Sequence, residues 1–250
     1  MGRVAARTPR AAGATLLEHQ YAASALVGVL LGQPVDGLGD EFLPTQVALQ
    51  QEALAAVDDV LIRGRSPGGD RTLLVACRRR PMLAASSRAT VLLFADFLHV
   101  VLDKPESLAS GELRLGLAVS APFGPASELA VLTEIARRQP DGATFHQAVA
   151  APGAVSAAVR RRLAHVLELV KAALQEVAPE AGAAQDLKEL CWVLLRSLFV
   201  ILAQLEGDVA PGRTQLVTRL QTVTGDVAWA EQLCGVWWRS RGRPRFVLVL

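Results

Sequence analysis

Residues 46–81 read QVALQQEALAAVDDVLIRGRSPGGDRTLLVACRRRP. Two apolar runs are joined by a loop of Gly, Pro and Ser. The acidic pair Asp58–Asp59 stands at the first run and the triplet Arg78–Arg79–Arg80 closes the second. Val57 to Ile62 is apolar on both faces, as in a strand covered by helices on each side. Gly64 to Asp70 is a turn signal. Thr72 to Cys77 is again apolar on both faces. Two adjacent buried strands predict the centre of an α/β sheet and not a surface hairpin.

Outward from this hairpin, the pattern before it predicts one helix, Ala14 to Leu31. Thr15 and Glu18 sit in capping-box spacing at its start, and Gly32 and Pro34 end it. Residues 36–45 are expected to form a loop. After the hairpin, Ser86 and Ser87 are expected to cap a helix from Arg88 to Leu102. Gly111 to Ser120 alternates with period two and predicts a third strand. Ser127 is the expected cap of a helix running to Arg138. From Asp141 onward the pattern is helical: Thr144–Ala150, Val155–Val177, Ala184–Leu205, Arg213–Val223 and Val227–Trp238. The expected organisation is a basic arm (1–13), an α/β core (14–140), a helical bundle packed on that core (141–238), and a linker or truncated end (239–250). The expected fold class is α/β, a small mixed sheet flanked by helices and followed by a C-terminal helical bundle.

With 250 residues, 51% of them hydrophobic, the chain can bury a substantial core. A net charge of +2 announces neither a nucleic-acid nor a membrane partner. No charge-free run of about 20 apolar residues exists, so a membrane span is not expected. The cysteines, Cys77, Cys191 and Cys234, form no CxxC pair, and a cytoplasmic location is expected. Four scattered histidines make no ligand motif. Trp229, Trp237 and Trp238 could stack a base, although packing is the commoner role. There is no glycine-rich phosphate loop ending in lysine.

Glu18 on a helix, Asp58 or Asp59 on a strand and Arg78 on the next strand follow one another in an order that resembles the PD-(D/E)xK nuclease superfamily. The stretches LEHQYAASAL, VDDVLI, LLVACRR and LCWVLLRSLFVILAQLEGD resemble the N-terminal double-stranded-DNA endonuclease domains of bacterial antiphage effectors of the CBASS and STAND types. The resemblance implies Mg²⁺ held by Glu18, Asp59 and Asp58, catalysis by Asp59, Arg78 and Glu18, and contact of Arg78, Arg79 and Arg80 with double-stranded DNA. It departs from the family where the hard-cation ligand and the lysine belong, since Ala76 and Arg78 stand there. Alone, each residue has a plainer role: Glu18 a cap acid, Asp58–Asp59 a strand-entry turn, Arg78–Arg80 a solvated rim. Two functions are therefore expected from the sequence. One is a DNA-binding or Mg²⁺-dependent endonuclease-like effector domain of a defence protein, impaired at its tripeptide. The other is a non-enzymatic interaction or assembly module on a nuclease-like scaffold, joined to another protein or to its own copies.

Overall fold

The computed structural model describes residues 12–49, 57, 59–180, 186–205, 210–226, 228 and 247–249. The expected arm (1–13) lies almost wholly outside the described residues, as do Asp58, Cys234 and most of the last expected helix with its three tryptophans. The fold class is mixed α/β, with helices on a mixed sheet.

The first helix, α1 (Ala12–Leu31), is an Ala/Leu-rich segment stopped at Gly32, whose φ of +58° is a left-handed conformation that glycine adopts without strain. α1 already begins at Ala12, so Thr15 falls inside the helix span and not at its start. A strand the sequence reading assigned partly to a loop follows, β1 (Leu43–Leu49). Then come β2 (Val60–Ser66) and β3 (Gly69–Arg78), joined by the expected turn. Ser66 Oγ accepts the Gly68 amide there at 3.1 Å. β1, β2 and β3 are successively antiparallel.

After β3 the chain changes mode. α2 (Arg88–Asp103) is capped by Ser87, which accepts the Thr90 amide. A short α3 (Pro105–Ser110) leads into β4 (Leu113–Val119), which runs parallel to β3. Then follow α4 (Gly124–Arg138), α5 (Gly142–Ala150), α6 (Ala157–Val177) and α7 (Leu187–Ser197). α4 opens on Phe123 and Pro125, so Ser127 lies inside its first turn.

The sequence reading placed one long helix over Ala184–Leu205. The structure divides it: α7 stops at Ser197 and Leu198–Leu202 form β5, parallel to β4. Five consecutive bulky apolar residues, two of them β-branched, suit a pleated surface, and the open edge of β4 supplies the hydrogen bonds. α8 (Pro211–Thr224) and a three-residue β6 (Val247–Val249) complete the described elements. β6 pairs with β1, so part of the expected linker is an edge strand. The sheet order is β5-β4-β3-β2-β1-β6.

Strand alternation sorts the core into two layers. Leu73, Val75 and Cys77 pack with Leu17, Tyr21 and Ala25 of α1. Leu74 and Ala76 pack on the other face with Phe94, Phe97 and Leu98 of α2 and the helices behind it.

Candidate functional site

The hairpin brings Asp59 and Arg78 together. Asp59 stands just before β2, which pairs antiparallel with β3, so it reaches the end of β3. Its Oδ2 accepts the Cys77 amide at 2.7 Å and the Arg78 guanidinium at 2.5 Å. The Asp59 side chain is 2% exposed. Arg78 is held further by the Cys77 carbonyl, at 2.7 Å. One oxygen of the buried carboxylate is thus neutralised by a cation and held by a backbone amide.

The other expected site residues are placed as follows. Glu18 is fully buried on α1. Ala76 faces the α2 layer, on the opposite side of the sheet from α1. Arg79 and Arg80 are exposed; Arg80 lies 5.8 Å above the Phe123 ring, and the Arg79 carbonyl accepts from Ser120. In the second arginine cluster, Arg162 is committed internally to Glu128 and the Leu83 carbonyl. Among the described residues, no group of three His, Cys, Asp or Glu side chains could hold a metal ion. The Asp59 carboxylate is engaged through Oδ2 by the Arg78 guanidinium, and Ala76, at the tripeptide position, lies on the opposite face of the sheet from α1.

A second constellation was not singled out from the sequence. Where α1 ends, the chain leaving β5 and the start of α8 enclose a polar crevice of about 300 Å³, lined in part by Tyr21, Asp36, Gln204, Gly212, Gln215 and Arg219. It opens at the carboxyl end of β5, the edge of a parallel sheet where α/β proteins commonly bind ligands. The Tyr21 phenol is held well above its ordinary range, first by burial and then by Cys77 and Asp36. Arg219 donates to Gln33 at 2.7 Å. Burial lowers its pKa, and the Asp36 charge opposes that. Gln204 has a φ of +45°, an unusual conformation for a residue with a Cβ. Gly212 sits against it: a Cβ there would stand 2.5 Å from the Ala203 carbonyl oxygen. The only sequence signals were the lone tyrosine and the punctuation DGLGD.

No protein family and no curated protein sequence matches the chain. Among solved structures, a Cap4 SAVED/CARF-domain containing receptor of Acinetobacter baumannii with the cyclic trinucleotide 3′3′3′-cAAA resembles it at 11% identity and a TM-score of 0.46, covering 94% of this chain and 41% of that one. The same receptor with 2′3′3′-cAAA gives 10% and 0.45, with coverages of 94% and 42%. A Moraxella osloensis Cap4 receptor gives 10% and 0.40, with coverages of 90% and 42%. The chain thus spans about two fifths of the length of these proteins.

The nuclease resemblance and the endonuclease or DNA-binding function drawn from it are corrected here. The resembling structures are named for SAVED/CARF-domain containing receptors and not for PD-(D/E)xK nucleases. On the hairpin itself, Asp59 is paired with Arg78, and Ala76 is buried against the α2 layer. Among the described residues, no helix is long and apolar enough to cross a membrane.

Proposed function

We propose that this chain is a non-enzymatic, receptor-type binding module that takes a small polar ligand of the nucleotide class in the crevice between α1, the segment after β5 and α8. The observation that carries this reading is the crevice itself. It joins a buried phenol, a carboxylate, a half-buried guanidinium and a strained Gln204 at the carboxyl edge of the parallel strands. Its volume of about 300 Å³ is at the small end for ligand pockets, so it suits one moiety of a larger ligand. Cyclic trinucleotides, named with the Acinetobacter receptors, are the first class to test. The antiphage setting and a cytoplasmic location belong to the same proposal.

Isothermal titration with 3′3′3′-cAAA and 2′3′3′-cAAA is expected to give binding that Arg219→Gln weakens by at least tenfold, or about 1.4 kcal/mol. Plasmid DNA incubated with the protein and Mg²⁺ is expected to stay intact. Absence of binding by both trinucleotides, or Mg²⁺-dependent cleavage abolished by Asp59→Ala, would overturn the reading.

A further inference from the structure

Three arginines gather at the opposite edge of the parallel strands, where those strands begin. Arg71 opens β3 and Arg114 opens β4, and strand alternation puts both on the face that carries α1. Arg137 reaches them from the last turn of α4. Each of the three lies over an aromatic ring. Arg71 lies 3.8 Å over the Phe42 ring, while Arg114 at 5.0 Å and Arg137 at 4.2 Å share the Phe199 ring on β5.

Their hydrogen bonds place like charges side by side. Arg71 and Arg114 donate through Nη1 to the same acceptor, the Leu38 carbonyl, at 3.2 and 2.5 Å. Arg114 adds the Gly37 carbonyl at 3.3 Å, and Arg137 takes the Leu198 carbonyl at 2.8 Å. Two guanidinium ions on one neutral oxygen gain donor satisfaction but no charge balance.

The nearby carboxylates do not supply that balance. Glu41 reaches Arg71 at 3.6 Å but its side chain is 67% exposed, so the pair is weak. Glu134 is divided between Arg137 and Arg138, at 3.2 Å each. Arg114 makes no ion pair among the described residues, and burial, followed by the charges of Arg71 and Arg137, brings its pKa down to about 10. Burial is the larger cause of that fall, and the two neighbouring cations add to it.

The loop lies close over the row at a glycine. Gly39 has a φ of +104°, and a Cβ built on it would stand 3.3 Å from Nη1 of both Arg71 and Arg114. The glycine therefore keeps a side chain off these two donors. Arg71 and Arg137 retain 21% and 24% side-chain exposure, so solvent reaches the row.

We infer that Arg71, Arg114 and Arg137, beneath Gly39, form a binding site for a phosphate group. Planar guanidinium forks match tetrahedral oxyanions, and a dianion placed there offsets the crowded positive charge. The site lies at the other end of β5 from the crevice, and the inference stands apart from the proposed ligand of that crevice. The group could arrive as free phosphate or as part of a nucleotide, and the two sources share this chemistry.

Thermal unfolding and titration calorimetry with inorganic pyrophosphate, repeated with adenosine 5′-diphosphate, test it. Pyrophosphate at tenfold over Kd is expected to raise Tm by roughly 3–5 °C in low salt, less as salt increases. Arg71→Gln and Arg137→Gln are each expected to weaken pyrophosphate at least tenfold, and Arg71→Lys less. Arg219→Gln, in the crevice, is expected to leave it unchanged, so that failure here is distinguishable from failure there. Equal affinity for both probes marks a site for phosphate alone, and tighter diphosphate binding marks a nucleotide site. Should Arg71→Gln fail to fold, Arg137→Gln and Arg71→Lys decide the matter. Absence of pyrophosphate binding, or binding that survives in folded Arg71→Gln and Arg137→Gln proteins, would leave the arginines as loop anchors only and overturn the inference.

Discussion

Arg78 donates to the Asp59 carboxylate, and the same Asp59 oxygen takes the amide of the neighbouring Cys77. One buried oxygen thus ties the entry of β2 to the end of β3 and neutralises the acid there. The two partners are unequal, since the Asp59 side chain is 2% exposed and that of Arg78 is 27% exposed.

That inequality predicts asymmetric mutants. Arg78→Ala takes the cation from a buried carboxylate and is expected to cost about 3 kcal/mol. Asp59→Asn keeps an acceptor for the Cys77 amide and lets Arg78 turn to water, so about 1 kcal/mol is expected. Urea unfolding of the two variants measures both. Equal losses would show that the pair is not organised around the buried acid.

His146 on α5 supplies a pH prediction. Burial holds its imidazole below the ordinary value of 6.5; the Lys188 charge adds to this, while the Lys188 backbone and Asp186 oppose it. A folded-state pKa below the unfolded one means that the unfolded chain binds the proton more readily. The contribution of His146 is therefore complete above 6.5 and is lost as pH falls through the folded value. The urea midpoint is expected to decline from about pH 7 to pH 5, and His146→Gln is expected to flatten part of that slope. An unchanged slope would assign it to the carboxylates.

Much of the fold was legible because its signals are local. Ser87 accepts the Thr90 amide as a capping serine should, and Gly111–Ser120 alternates because one face of β4 packs on α2. Two features were not legible, for physical reasons. β1 carries Pro44 as its second residue and a bulge between Pro44 and Gln46, so its alternation is broken. β5 continues directly from α7, and a buried helix and a buried strand are both apolar all round. Only the vacant edge of β4 decides between them. The candidate sites were less legible still. Asp59 and Arg78 were read as a pair, yet whether an acid faces a metal or a guanidinium depends on the strand register. Tyr21, Asp36 and Arg219 lie far apart in sequence and meet only when α8 docks on α1. Arg71, Arg114 and Arg137 meet only when β3 pairs with β4 and α4 packs on β5.

Cys191 on α7 lies wholly within the helical layer, and burial pushes its thiol up to about 12. The thiolate is the reactive form, so a variant that keeps Cys191 alone (Cys77→Ala, Cys234→Ser) is expected to react with a thiol reagent only as fast as the chain opens. The sign for stability follows from the raised value. The contribution is present below the ordinary thiol pKa and is lost as pH rises toward 12. Labelling at the rate of an exposed thiol at neutral pH would contradict this packing of α7.

Gly212 connects stability with the proposed binding function. Its amide donates to the Gln204 carbonyl at 3.0 Å, and a Cβ would stand 2.5 Å from the Ala203 carbonyl oxygen and 2.9 Å from that of Gln204. Both obstacles are backbone, so no flexible side chain can move aside. Gly212→Ala is therefore expected to push the start of α8 away from the segment after β5, at a cost of about 1–3 kcal/mol. The same shift widens the crevice at the wall that carries Gln204 and Gln215. Ligand affinity there is expected to fall more than stability does, because Leu216 and Leu220 still anchor α8 on Val27 of α1. Calorimetric titration beside urea unfolding separates the two effects. A variant that loses stability but binds with unchanged affinity would show that this wall of the crevice is not part of the site.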